Sequence, residues 1–340
     1  MDTVALFPSN LGGIWSFSDS DAYLMGNIFQ WTDNVFTGYV GLHWNGKKWE
    51  KNINGTVEEI KHVANDVIGD DHYLVSVGNW SINPAKPALG EFNNNTKKWK
   101  GYQFQIAGEL RSVWTDGNGY FIAAGDNGMV YIKDNYEADW VYVKAPTDFH
   151  FTKVIGISKT EIYFRAVISI SSGQFFYQIW KYYQNSWIKL LDNQDTLNTS
   201  IKIPEAGDEI YDIAAHRCSI NDSLYLYIVG RESFEFSTKG NSLIFNKTNL
   251  WSKGLPLSSV GIDVGYISLF SPNDYWVSGL GYYLYHFNGI DFKKIEPIPT
   301  LPYGQLWGAI SRIKINKSGK IWMILETNSQ NYSVIQGVPN

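Results

Sequence analysis

The sequence predicts an all-β fold, a seven-bladed β-propeller of four-stranded antiparallel blades. Three observations carry that expectation: a strand–turn–strand unit recurring along the whole chain, a recurring aromatic about 49 residues apart, and a composition built for packing. Of 340 residues, 16% are Phe, Trp or Tyr and only 18% are charged. A chain so rich in aromatics has the apolar area to offset ordering entropy, so it is not a disordered segment.

The first half of each unit is an apolar strand, a tight polar turn and an aromatic strand ending at Gly. Ile14-Trp15-Ser16-Phe17 turns through Ser18-Asp19-Ser20-Asp21 into Ala22-Tyr23-Leu24-Met25-Gly26. Val113-Trp114 turns through Thr115–Gly119 into Tyr120–Gly125, and Leu269-Phe270 through Ser271–Asp274 into Tyr275–Gly279. Weaker copies surround Gly69-Asp70-Asp71, Ser158–Glu161, Asn221-Asp222-Ser223 and Asn316–Gly319.

A second hairpin completes the unit. His43-Trp44-Asn45-Gly46 leads to Trp49, and His286-Phe287-Asn288-Gly289 to Phe292. Asn-Gly suits a two-residue turn whose central residues need positive φ. Equivalent aromatics follow at Trp99, Trp140, Trp187 and Trp251, and they are expected to pack between blades. Residues 1–340 then form one domain with blades over 10–54, 60–104, 110–144, 152–191, 210–254, 264–296 and 306–340. The last blade is one strand short, and the segment 2–8 is a spare strand. Pairing it there would close the ring and remove exposed edges, which invite aggregation.

Composition excludes several classes. A formal charge of −5 argues against nucleic acid, which is bound through basic surfaces. One cysteine, Cys218, excludes an internal disulfide framework and a cysteine zinc cluster. The longest apolar runs are strand-length, short of the ~20 residues a spanning helix needs. Met1-Asp2-Thr3-Val4 has neither a basic n-region nor an apolar h-region. The chain is therefore expected to be cytoplasmic or to lack a removed leader, and its polar, charge-poor composition favours an extracytoplasmic place. A monomer is expected.

The quoted units resemble the repeat of bacterial seven-bladed propellers of the photosystem assembly-factor-like or glucosyl-hydrolase-like type. Leu269–Phe292 matches best, then Ile14–Trp49 and Val113–Trp140. The stretch Asn316–Trp322 is instead similar to blades of sensor-kinase ectodomain propellers. These motifs shape turns and packing and carry no catalytic residue across. Fold alone does not fix activity.

Connections between second and third strands, and between blades, read as long in places: 27–37, 79–86, 192–208, 231–241 and 296–305. Insertions on one face of a rigid scaffold carry binding groups. Phe29, Trp31, Phe36, Trp80, Phe234, Phe236 and Tyr303 sit in them. As exposed rings they would stack on sugars or anchor a protein partner; alternatively they fold back as local loop cores, and Phe234 and Phe236 alternate as a strand would. Acidic residues of that face are Asp33, Glu109, Asp192, Asp195, Asp208, Glu232 and Glu296. No two of them are brought together by spacing.

His216 and Arg217 fall on an innermost strand and are candidates to line the central channel. His43 and His286 hold the same repeat position, which points to blade geometry. The six histidines form no metal-spaced set, and no cofactor or metal is expected; turn oxygens at Asp116-Gly117-Asn118 or Asp19-Ser20-Asp21 are the places where calcium would bind. The leading expectation is a non-catalytic, extracytoplasmic binding propeller for a glycan or a protein. Its rivals are a glycan hydrolase or lyase using loop carboxylates, and a scaffold module of a surface complex.

Overall fold

The computed structural model describes residues 2–32, 35–51, 62–82, 84–171, 174–192, 210–217, 224–230, 233–239, 242–248, 264–271, 273–279, 284–295, 308–315, 319–327 and 332–337. They separate into two compact units, residues 1–154 with 314–340 and residues 155–313. In the first unit, β1 (Asp2–Ser18), β2 (Asp21–Thr32), β3 (Val35–Trp44) and β4 (Trp49–Lys51) are followed by β5 (Val63–Gly69), β6 (Tyr73–Ile82), β7 (Ala85–Asn93) and β8 (Lys98–Gln103). Next come β9 (Leu110–Thr115), β10 (Phe121–Gly125), β11 (Met129–Lys133) and β12 (Val141–Lys144).

The strand β13 (His150–Ser158) leads into the second unit, with β14 (Glu161–Ser171), β15 (Gln174–Tyr183) and β16 (Ser186–Asp192). There follow β17 (Ile210–Arg217), β18 (Leu224–Gly230), β19 (Ser233–Lys239) and β20 (Ser242–Thr248), then β21 (Val264–Ser271), β22 (Asp274–Gly279), β23 (Leu284–Phe287) and β24 (Phe292–Ile295). The strands β25 (Gly308–Ile315), β26 (Ile321–Thr327) and β27 (Tyr332–Gly337) end the series.

The architecture is an all-β propeller of antiparallel blades, but the expected count of seven is corrected. The described strands form six sheets: five of four strands, and one of seven in the order β25-β26-β27-β1-β2-β3-β4. The physical reason is β1. Its start pairs with β27 (Asp2↔Val334, Thr3↔Ser333), and its remainder pairs with β2 (Leu6↔Phe29 to Ser18↔Asp21). One 17-residue strand thus does what two separate strands were expected to do.

That long sheet is not flat. Five steps of strand order lie between β26 and β4, which would be about 24 Å across an open sheet. Yet the rings of Trp322 and Trp49 have centroids 6.1 Å apart. The sheet folds back along β1, and its two halves enclose Leu11, Ile14, Leu24, Ile28, Leu42, Ile324, Tyr332 and Val334.

The recurrent Gly at the end of second strands has a steric cause. Four inner strands, β1, β5, β17 and β21, skip a residue at Gly12, Asn65, Tyr211 and Gly265, and β9 shifts register in the same way at Arg111. Opposite each shift lies Gly26, Gly78, Gly230, Gly279 or Gly125. A Cβ at Gly26, Gly78 or Gly125 would meet the carbonyl oxygen of Asn10, Val63 or Glu109 at 2.3, 1.7 or 1.9 Å. Bulged backbone approaches so closely that only glycine fits.

Among the recurrent aromatics that are described, Trp99 and Trp140 reach a neighbouring sheet as expected, while the ring contacts of Trp187 lie within its own sheet. Trp99 touches Phe92 and, on a different sheet, Tyr23. Trp140 donates from its indole to Glu91 Oε1 at 2.5 Å, again across sheets. Within the second unit, Trp187 rests on Phe164 and Tyr182, and Phe292 on Tyr275 and Phe287. Trp251 and Cys218 lie outside the described residues.

Candidate functional site

Most of the expected loop residues are strand residues. Phe29 pairs with Gly38 and Trp31 with Phe36 across β2 and β3, so the segment 27–37 is a hairpin extension. Its alternation of large and polar residues is strand periodicity. The half-buried Phe29 ring lies over Gly38, where a Cβ would meet it at 3.1 Å. Its amide donates to Ser9 Oγ at 2.8 Å.

Trp80 lies in β6, half-buried. Its indole donates to the Phe104 carbonyl at 3.4 Å, and the Lys86 ammonium sits 5.2 Å from its ring centroid. Phe234 and Phe236 pair with Ile228 and Leu226 in β19, as their alternation foretold. Tyr303, Asp33, Asp195, Asp208, Glu232 and Glu296 lie outside the described residues.

The second–third hairpins differ greatly in reach. Strands β2 and β3 have 12 and 10 residues, β6 and β7 have 10 and 9, and β14 and β15 have 11 and 10. By contrast β10 and β11 have 5 each, and β22 and β23 have 6 and 4. At about 3.3 Å per residue, the long hairpins extend well beyond the short ones.

In the first unit a polar cluster closes the start of β9. Arg111 contacts Glu109 Oε1 and Asp126 Oδ1, each at 2.6 Å. Asn79 donates to Glu109 Oε2 at 2.8 Å, and Asn65 at 3.3 Å. Asp126 also accepts the Glu109 amide at 3.1 Å and faces His150 Nδ1 at 3.0 Å. Burial alone would raise the Asp126 carboxyl, but His150 and Arg111 outweigh it and hold it below the usual carboxylate range. So held, Asp126 is poorly suited to act as a general acid.

Acid–base ties recur at the opposite, short-turn ends. His43 Nε2 donates to Asp21 at 2.8 Å and His286 Nε2 to Asp274 at 2.7 Å. Lys97 reaches Asp21 at 3.4 Å. In the second unit Glu161 takes that place, bound by Lys181 at 2.8 Å, by Tyr163 at 2.7 Å and by Arg217. Arg217, expected to line a channel, thus anchors a half-buried ion network. His216 is half-buried, and desolvation lowers its pKa. The partners Asp21 and Asp274 were missed in sequence, although each is the turn acid two residues before the residue opposite its histidine.

Among the described residues no group of three or more His, Cys, Asp or Glu is placed to hold a metal ion. Asp116 instead caps its own turn through Asn118 and Tyr120. Nor is any helix there long and apolar enough to cross a membrane.

No protein-family model matches the chain, and no curated protein matches it. Solved structures do. The chain is similar to YCF48 bound to a D1 peptide, at 13% identity and a TM-score of 0.63 over 99% of this chain and 98% of that one. YCF48 from Cyanidioschyzon merolae aligns over the same shares, at 13% identity and a TM-score of 0.59. The β-propeller domain of the Trilobed protease from Pyrococcus furiosus, described as an open velcro topology, aligns over 96% of this chain and 95% of that one, at 12% identity and a TM-score of 0.56. At such identities the likeness shows the fold, a β-propeller.

Proposed function

We propose that the chain is a non-catalytic, extracytoplasmic binding propeller that grips a segment of a partner protein with its long second–third hairpins. The carrying observation is the unequal reach of those hairpins, with β2–β3 and β6–β7 both long in the first unit. Projecting hairpins on a rigid scaffold are where binding residues collect. A structural neighbour bound to a peptide supports a protein ligand over a glycan. So does the state of Trp80, whose ring carries a lysine and whose indole is bonded to backbone. The clamped Glu109 and Asp126 support binding without turnover.

Peptide display against the purified chain tests this reading. The wild type should enrich a peptide family that a variant with residues 30–37 replaced by Asn-Gly does not. Equal enrichment by both, or none by the wild type, would sink it.

A further inference from the structure

Asparagine followed by glycine is a chemically fragile pair, because no side chain hinders the next backbone nitrogen. That nitrogen attacks the asparagine Cγ: the N–Cγ bond forms, the Cγ–Nδ2 bond breaks, and ammonia departs with the amide proton. Water then opens the cyclic imide at one carbonyl to give aspartate or at the other to give isoaspartate. The chain has five such pairs, beginning at Asn45, Asn54, Asn118, Asn127 and Asn288. Asn54 lies outside the described residues.

The fold treats the other four differently. Asn45 Oδ1 accepts the Lys47 and Lys48 amides at 3.0 and 3.1 Å. Asn288 Oδ1 accepts the Ile290 and Asp291 amides, both at 3.0 Å. Swinging either Cγ onto its glycine nitrogen breaks two hydrogen bonds. At Asn127 the nucleophile is engaged, since the Gly128 amide donates to the Phe149 carbonyl at 2.9 Å. Asn118 has neither protection. It is exposed, and its side chain makes one long bond, from Nδ2 to the Asp116 carbonyl at 3.3 Å, through the nitrogen that leaves. The amides of Asn118 and Tyr120 both donate to Asp116 Oδ1, but among the described residues nothing accepts the Gly119 amide between them.

We propose that Asn118 is a site of spontaneous modification, converting to aspartate and isoaspartate in the folded chain ahead of the other described pairs. The inference stands apart from the hairpin reading, because Asn118 lies in the turn between β9 and β10. Gly119 is buried against the Tyr136 ring, where a Cβ would fall 3.0 Å from it. The Tyr136 hydroxyl in turn donates to Asp70, between β5 and β6, at 2.9 Å. Isoaspartate adds a carbon to the backbone of that turn and so presses on a contact between two sheets of the first unit. Conversion both marks the age of the molecule and loosens it.

Peptide mapping by mass spectrometry, after incubation of the full chain in mildly alkaline buffer, tests the proposal. In the folded chain Asn118 should convert at least about tenfold faster than Asn45 or Asn288, each held by two hydrogen bonds of ordinary strength. In urea all four pairs should convert at similar rates, because the dipeptide is the same. In water enriched in oxygen-18, the acid at position 118 should carry one heavy oxygen, the mark of imide hydrolysis. The melting temperature of the wild type should fall on ageing, and that of Asn118→Gln should fall less. Asn118 converting no faster than Asn45 and Asn288 in the folded chain would overturn the assignment of the site, and an equal fall in both proteins would overturn the loosening.

Discussion

Asp66 and Asp212 hold the same place in β5 and β17, one residue past the bulge, and their carboxylates do the same double work. Asp66 Oδ1 accepts the Val67 amide and its Oδ2 the Val113 amide of β9. Asp212 Oδ1 accepts the Ile213 amide and its Oδ2 the Ile267 amide of β21. Ser112 repeats half of the pattern, accepting the Val154 amide at 3.1 Å. Each carboxylate ties its own inner strand to the next one and satisfies amides that a bulge leaves without a ladder partner.

Replacing Asp212 with Ala should therefore cost about 2–3 kcal/mol, since a charged acceptor is lost and buried amides are stranded. Asp212→Asn keeps one acceptor and should cost less. Urea unfolding monitored by tryptophan fluorescence would order the variants, and an Ala variant as stable as wild type would disprove the latch.

Gly78→Ala should destabilise by about 2 kcal/mol or more, because its methyl would fall 1.7 Å from the Val63 carbonyl oxygen and the backbone must shift. Gly117→Ala is the contrast: nothing lies within 4 Å, so only its φ of 80° is penalised, by about 1 kcal/mol. A calorimetric melting difference between the two separates close approach from backbone preference.

Trp49→Ala should cost about 3 kcal/mol through the cavity left beside Trp44 and Trp322. The loss should appear as a lower urea midpoint with an unchanged slope. An unchanged midpoint would show that the two halves of the folded sheet do not depend on that ring.

His62 is buried, bonded to Ser76 Oγ at 3.1 Å, and desolvation lowers its pKa to about 4. The unfolded chain takes up this proton near the ordinary pKa of about 6.5, so its contribution is complete above that pH and is lost as pH falls towards 4. The loss is on the order of 3 kcal/mol. Stability measured from pH 7 to 4 should decline less steeply in His62→Gln; an identical decline would rule out this histidine as a source.

Much of this was legible in residues whose packing is local. The aromatic near each outer strand and the terminal Gly of second strands follow from short-range geometry, and the structure bears them out; the expected two-residue Asn-Gly turns are instead four-residue loops, 45–48 and 288–291, in which only Gly46 and Gly289 have a positive φ. The blade count was misread because Pro8, which has no amide to donate to a ladder, reads as a strand end, whereas β1 runs on through it with a register shift between Leu6 and Asn10. Hairpin reach was misread as loop length because Asp33-Asn34 and Asn241 interrupt alternation that otherwise belongs to strands. The ties of Glu109 to Asn65 and Asn79, and of Arg217 to Glu161, cross between sheets, and no sequence spacing announces such meetings.

The pairing of Asp2 with Val334 also bears on how the molecule forms. During synthesis β1 exists long before its partner, so its start must wait until β27 has been made. Contacts of such sequence separation close late and slowly. Until then the edges of β1 and β27 stay open to other chains, and the protein's most vulnerable interval is the one before that closure.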